Sequence, residues 1–233
     1  MKIKSFFRTI YFYAGLVMSL IAQLPRFTGA KNKNADAIHN VARRWALGNA
    51  KRSGGRFHFE GFQNIPKDQA VVFISNHQSN FDIAALLAYL PINHGYIAKI
   101  ELTKVPILSG WMKHMQCVFI NRKSLRQSAG AIIEGIKILK GGHSLVVFPE
   151  GTRSRSSKML DFKAGSFKLA TKSGVPIVPI TINGSYRLLE EGGGWIRSAD
   201  IYVTIHPLIP KEELADPELP SRVRKIIEEG LQK

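Results

Sequence analysis

Cysteine is nearly missing from this sequence of 233 residues, since Cys117 is the only one. A single cysteine excludes an intrachain disulfide and a metal site built from several cysteines. The seven histidines are scattered, and no pair of them has the spacing of zinc ligands. We therefore expect neither a bound metal nor a disulfide framework. Internal repeats and low-complexity segments are also lacking.

Acidic residues are scarce as well. The chain has 17 Asp and Glu against 33 Lys and Arg, which gives a formal net charge of +16. A balance this basic indicates an anionic partner, such as nucleic acid, an anionic membrane, or an acidic substrate or carrier protein. No helix-turn-helix, zinc-finger or base-stacking signature accompanies the charge, so nucleic acid is the least favoured of these partners.

The amino terminus lacks a hydrophobic run of full membrane-spanning length. The run from Ile10 to Leu24 has fifteen uncharged residues, and a spanning helix needs about 20. Basic residues flank this run, and Tyr11, Phe12 and Tyr13 cluster at one end of it, as aromatic residues do at a membrane interface. The pattern favours a helix lying in one leaflet, with a tilted single span as the next choice. A soluble core helix explains the aromatic cluster and basic flanks less well, and a secretory signal peptide would need a cleavage site that does not follow.

A second helix is predicted from Ala35 to about Lys51, after a polar and basic linker at residues 27–37. Five of its residues are spaced to form one apolar face, namely Ile38, Val41, Ala42, Trp45 and Ala46. This helix either forms a membrane-facing hairpin with the first helix or packs on the globular domain. The sequence pattern supports the two interpretations equally. We assign residues 1–53 to N-terminal membrane-associating helices and residues 54–233 to an α/β domain.

From residue 54 onward, apolar segments of strand length alternate with helical segments. The alternation predicts one α/β domain with a mixed, largely parallel sheet covered by helices, preceded by the membrane-binding helical hairpin. The predicted strands are Arg56–Glu60, Ala70–Ser75, Gly95–Ala98, Val118–Ile120, Ser144–Phe148, Ile177–Ile182 and Ile201–His206. The predicted helices are Ile83–Leu90, Ile107–His114, Ser124–Leu139, Gly165–Lys172 and Pro220–Leu231, with a short one after Lys211.

The stretch from Ser75 to Asp82 holds the candidate catalytic residues. His77 directly follows a predicted buried strand, and Asp82 lies near the first turn of the next predicted helix. Two residues five apart do not share one face of a continuous helix, but they can meet across a strand-to-helix turn. A histidine held by a carboxylate is a general base with a fixed tautomer. No serine or cysteine nucleophile motif accompanies the pair, so we predict attack by a substrate hydroxyl whose proton His77 accepts.

Two further stretches place cations after predicted strands. Arg122 follows a buried strand and could bind a phosphate through two N–H groups. Another strand opens into Pro149-Glu150-Gly151-Thr152-Arg153, where Gly151 allows a ligand to approach the backbone and Arg153 supplies a second phosphate ligand. Glu150 would orient Arg122 or Arg153, or would hydrogen-bond a substrate hydroxyl. Each of these residues, and the pair of His77 and Asp82, is also compatible with a purely structural role when it is considered alone.

The stretch Val175-Pro176-Ile177-Val178-Pro179 has two prolines three apart. Because proline has no backbone N–H, such a strand cannot be fully paired. It either walls a hydrophobic slot or forms an edge strand at the rim of the sheet, and the two interpretations are compatible.

In chain order these stretches resemble the four sequence blocks of the glycerolipid acyltransferase family. The blocks are Asn76-His77-x4-Asp82, Val118-Phe119-Ile120-x-Arg122, Phe148-Pro149-Glu150-Gly151-Thr152-Arg153-Ser154 and Val175-Pro176-Ile177-Val178-Pro179. They cover residues 76 to 180, and the resemblance is strongest to the 1-acylglycerol-3-phosphate acyltransferases. The second block usually begins with Gly and has an acidic residue before its arginine. Gln116 and Asn121 hold these places here, which affects substrate detail rather than reaction class.

The resemblance implies a role for each block. His77 would deprotonate the free hydroxyl of a lysophospholipid, and Asp82 would orient the His77 ring. The substrate pocket would be formed by Arg122, Glu150, Gly151, Thr152 and Arg153, and an acyl tunnel would be lined by Val175, Pro176, Ile177 and Pro179. The implied partners are lysophosphatidate, acyl-CoA or acyl carrier protein, and an anionic membrane surface, without nucleic acid. No cofactor or metal is required, and the implied location is the cytoplasmic face of the inner membrane.

Three other functions stay open from the residues. An acyltransferase could use a different lyso-lipid, or glycerol 3-phosphate itself, as its acceptor. A membrane-anchored hydrolase would use His77 to activate water instead of a lipid hydroxyl. A basic protein that only binds membranes or nucleic acid would need neither His77 nor an acyl donor.

Overall fold

A computed structural model describes residues 3–25 and 34–232. Its centre is one seven-stranded sheet with the strand order β1-β7-β6-β2-β5-β3-β4. The strands are β1 (Gly55–Glu60), β2 (Val72–Ser75), β3 (His94–Lys99), β4 (Val118–Ile120), β5 (Ser144–Val147), β6 (Ile177–Asn183) and β7 (Ala199–Ile205). Strands β2 to β6 are mutually parallel, whereas β1 and β7 are parallel to each other and β7 runs antiparallel to β6. The prediction of a mixed, largely parallel sheet is therefore confirmed.

Helices cover both faces of this sheet. They are α1 (Ile3–Ile21), α2 (Ala35–Ser53), α3 (Phe81–Tyr89), α4 (Leu108–His114), α5 (Leu125–Lys140), α6 (Lys168–Ser173) and α7 (Leu219–Gly230), and 3-10 turns lie at Phe62–Asn64, Ile100–Lys104, Ala164–Phe167, Ser185–Leu188 and Lys211–Glu213. One buried cluster joins α1 to α4 to one face of the sheet, and a second joins α5 to α7 to the other. Alternate side chains of a strand point to opposite faces, so Phe73 belongs to the first cluster and Val72 to the second.

The two N-terminal helices pack against the α/β domain. Phe12 of α1 is buried and meets Phe81 at the start of α3, with 5.2 Å between ring centroids. Four of the five residues of the predicted apolar face of α2 are buried in the same core cluster, namely Ile38, Val41, Ala42 and Ala46. The structure thus favours domain packing for α2 over a membrane-facing role. Most of the linker predicted at residues 27–37 lies outside the described residues.

The described helices can be compared with the length and apolar character of a membrane-spanning helix. Within residues 3–25 and 34–232, none of them combines the length and the apolar character needed to cross a bilayer. One side of α1 is nevertheless exposed and strongly apolar, and it carries Ile3, Phe7, Ile10, Tyr11, Val17, Met18 and Ile21.

The prediction that the proline-rich strand lies at the rim of the sheet is wrong. Strand β6 lies between β7 and β2, and Ile177 to Ile180 are buried. The continuous ladder with β7 begins only at Ile180, opposite Ile205, and Pro179 contributes just its carbonyl, which accepts from the N–H of His206 at 2.9 Å. The missing N–H of Pro179 therefore falls just outside that ladder, which lets an interior strand contain proline.

Candidate active site

The candidate site lies at the carboxyl ends of two neighbouring parallel strands. Strand β2 ends at Ser75 and β5 ends at Val147, and the two strands pair directly. Because parallel strands end on the same edge of a sheet, the loops that follow them meet there. The ring of His77 stacks on Phe148, with centroids 4.1 Å apart and an interplanar angle of 17°. Two segments about 70 residues apart in sequence thereby form one site.

The structure brings the two predicted catalytic residues together. Nδ1 of His77 lies 2.8 Å from Oδ2 of Asp82, across the turn that joins β2 to α3. Asp82 is fully buried, whereas the His77 side chain retains 12% of its surface exposed. With Nδ1 facing the carboxylate, Nε2 is the ring nitrogen left to meet a substrate.

Asp82 is held in place by the turn itself. Its Oδ2 atom also accepts backbone hydrogen bonds from Gln78 at 2.7 Å and Ser79 at 2.8 Å. The carboxylate lies in the first turn of α3, where the helix dipole favours a negative charge. Three contacts thus hold the Asp82 carboxylate in the position from which it can orient an imidazole.

Two buried amide side chains attach the turn to strand β6. The side chain of Asn76 both donates to and accepts from the backbone of Ile182, at 2.8 Å in each case. Oε1 of Gln78 accepts from the backbone N–H of Gly184 at 3.0 Å. The residues on both sides of His77 are therefore fixed to the end of a central strand and to the residue that follows it, which limits movement of the His77 ring.

The structure gives Glu150 a different role from the predicted ones. Its Oε1 accepts from the backbone N–H of His77 at 2.7 Å, and its Oε2 accepts from the backbone N–H of Leu160 at 2.9 Å. Glu150 is buried, and desolvation raises its pKa while these two hydrogen bonds oppose the rise. The described partners of Glu150 are thus backbone amides, whereas Arg153 pairs with Glu190. Glu150 ties the loop after β5 to the catalytic turn.

The predicted phosphate ligands Arg122 and Arg153 lie in the loops that follow β4 and β5, whose carboxyl ends are on the same edge of the sheet. Nη1 of Arg153 pairs with Oε1 of Glu190 at 2.8 Å. Thr152 and Arg122 are exposed, and Arg122 follows β4, which is separated from β5 by strand β3. Partial desolvation lowers the pKa of the Arg122 guanidinium, and the nearby charge of Glu101 counteracts this.

Gly151 adopts a left-handed backbone conformation with φ of 75°. This conformation favours glycine, the residue that also allows a ligand to approach the backbone. The space beside Gly151 belongs to Lys163, because a Cβ atom at position 151 would lie 2.9 Å from the Lys163 Nζ atom. The sequence analysis identified neither Lys163 nor Glu190. Both residues lie in irregular segments, where no periodic pattern marks a functional side chain.

The four predicted tunnel residues lie directly before strand β6 and in its first three positions. Ile177 is fully buried in the cluster under α5 to α7, whereas Phe148, which stacks on His77, belongs to the cluster on the opposite face. Val175 and Pro176 precede β6, whose first residue pairs with Val72, five positions before His77. Strand alternation places Val178, rather than Ile177 or Pro179, on the face that holds Phe148.

One departure from the family pattern has a backbone explanation. Gln116 stands where the family usually has Gly, and its φ of 55° is in the left-handed region. A glycine adopts that conformation without steric cost, which accounts for the family preference. Asn121 forms the turn before α5, where its Oδ1 accepts from the N–H of Lys123 and its amide donates to Gln127.

Comparisons with known proteins agree with this architecture. The chain is 32% identical to the 1-acyl-sn-glycerol-3-phosphate acyltransferase of Borreliella burgdorferi over 68% of its own length and 63% of that protein. It is 36% identical to a chloroplastic 1-acyl-sn-glycerol-3-phosphate acyltransferase of Brassica napus over 63% of its length, but over only 43% of that protein. The matches thus span less than two thirds of the length of these two relatives.

A solved structure matches nearly the whole fold. The crystal structure of the 1-acyl-sn-glycerophosphate acyltransferase of Thermotoga maritima superposes with a TM-score of 0.89 and 27% sequence identity, over 99% of this chain and 96% of that one. The family model described as Acyltransferase matches residues 56–183, which is more than half of the chain and includes His77, Asp82, Arg122, Glu150 and Arg153. This chain belongs to the acyltransferase family.

Proposed function

We propose that this protein transfers a fatty acyl group from an acyl thioester to the free hydroxyl of 1-acylglycerol-3-phosphate, forming phosphatidate. The donor would be acyl-CoA or an acyl carrier protein. The observation that carries the proposal is the contact of 2.8 Å between Nδ1 of His77 and the buried Asp82 carboxylate. The Borreliella and Thermotoga proteins, which share the family and the fold, are named for this activity.

The reaction proceeds by direct attack of the acceptor on the donor. Nε2 of His77 accepts the proton of the lysophosphatidate hydroxyl as its oxygen bonds to the thioester carbonyl carbon. The tetrahedral intermediate then collapses, the carbon–sulfur bond breaks, and the imidazolium returns the proton to the departing thiolate. An ester and a free thiol are the products, so no electrons are gained or lost.

Asp82 acts through His77 rather than on the substrate. Its negative charge stabilises the imidazolium that forms during the attack, and the Nδ1 contact keeps Nε2 free of a proton beforehand. Burial of Asp82 strengthens this effect, because water cannot screen a pair held in the protein interior. The stacked ring of Phe148 limits rotation of the imidazole.

The acceptor phosphate binds near the loop that follows β5. Arg153 uses Nη1 for Glu190 and retains its Nη2 and Nε donors for a phosphate oxygen. Arg122 approaches from the loop after β4 and contributes positive charge at the same edge. Glu150 does not contact the phosphate, and its hydrogen bond to the backbone of His77 holds the loop against the turn that carries His77.

Both substrates carry acyl chains, and the exposed apolar side of α1 is suited to the membrane that contains them. We propose that this side, with Phe7, Tyr11 and Met18 among its residues, enters one leaflet of an anionic membrane. The excess of 16 positive charges favours a surface rich in anionic lipids. The cytoplasmic face of the inner membrane is the proposed location, because acyl thioesters are cytoplasmic metabolites.

The decisive experiment measures thiol release from a long-chain acyl-CoA or acyl carrier protein, with and without lysophosphatidate. In the wild type, release should depend on lysophosphatidate and yield phosphatidate. His77→Ala should lower kcat by at least about 10²–10⁴-fold, the usual contribution of a general base. His58→Ala is the matched control, because His58 lies exposed on the edge strand β1. Equal thiol release by wild type and His77→Ala would disprove the assignment, and release without acceptor would indicate a thioesterase.

A further inference from the structure

Lys163 is the cation that the fold places against the catalytic loop. Its Nζ, Cε and Cδ atoms lie 2.9, 3.1 and 3.4 Å from the position that a Cβ atom on Gly151 would occupy. The side chain therefore lies close to the backbone of Gly151, whose φ of 75° favours glycine. Residue 151 is adjacent to Glu150, which hydrogen-bonds the backbone of His77 at 2.7 Å.

The backbone of Lys163 is attached to the same loop. Its N–H donates to the carbonyl of Pro149 at 3.0 Å, and three residues earlier the N–H of Leu160 donates to Glu150 at 2.9 Å. Two hydrogen bonds thus fix the segment 160–163 to the turn that follows β5. The ammonium group is held near the site by its backbone, even though the side chain itself is exposed.

Lys163 and Arg153 differ in their ion pairs. Arg153 is paired with Glu190, whereas Lys163 has no carboxylate partner within the described ranges 3–25 and 34–232. The carboxylate of Glu150, which is nearby in sequence, accepts two backbone N–H groups and forms no ion pair with Lys163. An ammonium without an ion pair, on a segment attached to the loop that contacts the His77 backbone, is suited to an anionic substrate group, and it can donate up to three hydrogen bonds.

We propose that Lys163 is a specificity-determining residue that binds a phosphate oxygen of the acceptor. This inference rests on the proposed acyl transfer and identifies which cation recognises the phosphomonoester. Lys163 supplies a charge without an ion pair, and Arg153 is held by Glu190. Binding the phosphate at this position presents the free hydroxyl of the same molecule to Nε2 of His77.

The test compares steady-state kinetics of Lys163→Met, Lys163→Arg and Lys172→Met with those of the wild type. Methionine keeps the length of the side chain and removes its charge, and Lys172 is an exposed lysine in α6 that controls for the general loss of one positive charge. Lys163→Met should raise KM for lysophosphatidate about 10–100-fold, as expected for loss of a charge-assisted hydrogen bond. KM for the acyl donor should stay within about twofold, and Lys163→Arg should recover much of the acceptor affinity.

Three results would overturn the inference. Lys163→Met could behave like Lys172→Met, which would show that the ammonium does not contact the acceptor. It could instead change KM for donor and acceptor alike, or Lys163→Arg could fail to restore the acceptor KM, and either result would indicate a structural role. Failure of the proposed function itself is recognisable separately, because the wild type would then release no thiol in response to lysophosphatidate.

Discussion

Replacing Glu150 with glutamine distinguishes a structural role from a substrate-binding role. In the structure the Glu150 carboxylate accepts two backbone N–H groups, from His77 at 2.7 Å and from Leu160 at 2.9 Å. Glutamine has almost the same shape but only one acceptor oxygen. In either orientation of the amide, one of these backbone N–H groups would face the NH₂ group of the new side chain.

The expected cost follows from these contacts. Loss of a hydrogen bond to a charged group costs about 1.5–3 kcal/mol, and a buried donor without a partner adds about 1–3 kcal/mol. Removing the buried charge recovers part of this, because desolvation already disfavours the ionised form and raises its pKa. The free energy of unfolding of Glu150→Gln should therefore fall by about 2–4 kcal/mol. The catalytic turn should also shift, since the lost bond belongs either to His77 or to the loop beside it.

Urea unfolding followed by tryptophan fluorescence measures this change, with Glu212→Gln as the control for the same substitution at an exposed site. The variant should lose kcat while its KM for lysophosphatidate changes little, because Glu150 does not face the acceptor. Unchanged stability together with a raised acceptor KM would refute this reasoning. Such a result would restore the interpretation from sequence, in which Glu150 hydrogen-bonds the substrate.

Two further predictions concern residues outside the dyad. Gln116→Gly should raise the free energy of unfolding by roughly 0.5–1 kcal/mol, because relief of the left-handed strain exceeds the added chain entropy, and a lower urea midpoint would contradict this. Burial lowers the pKa of His39 to about 4 and that of His94 to about 3. The unfolded chain then binds more protons below pH 6.5, so stability is full above that pH and is lost as the pH falls towards 4. His39→Gln should reduce this loss in urea titrations at pH 7.5 and 5, and an equal loss in both proteins would show that His39 does not contribute.

The elements of the fold were predictable because each depends on nearby residues. The seven strands predicted from short apolar segments all occur, and most of their ends agree within one or two residues. Ser124 marks the start of α5 by accepting from the N–H of Gln127, as its position before an apolar helical pattern suggests. The order of the strands was not predictable, which is why the rim of the sheet was one of two interpretations for β6, although this strand lies inside the sheet.

The sequence by itself determined the contact between His77 and Asp82, because they are five residues apart and one turn brings them together. It also determined the family, through motifs that keep their order along the chain. Only the tertiary structure decided the contact of Glu150 with His77 and that of Arg153 with Glu190, across 73 and 37 residues of sequence, and the position of Lys163 beside Gly151. The physical reason is that local patterns specify which face of an element is buried, whereas the pairing of strands decides which loops meet at the edge of the sheet.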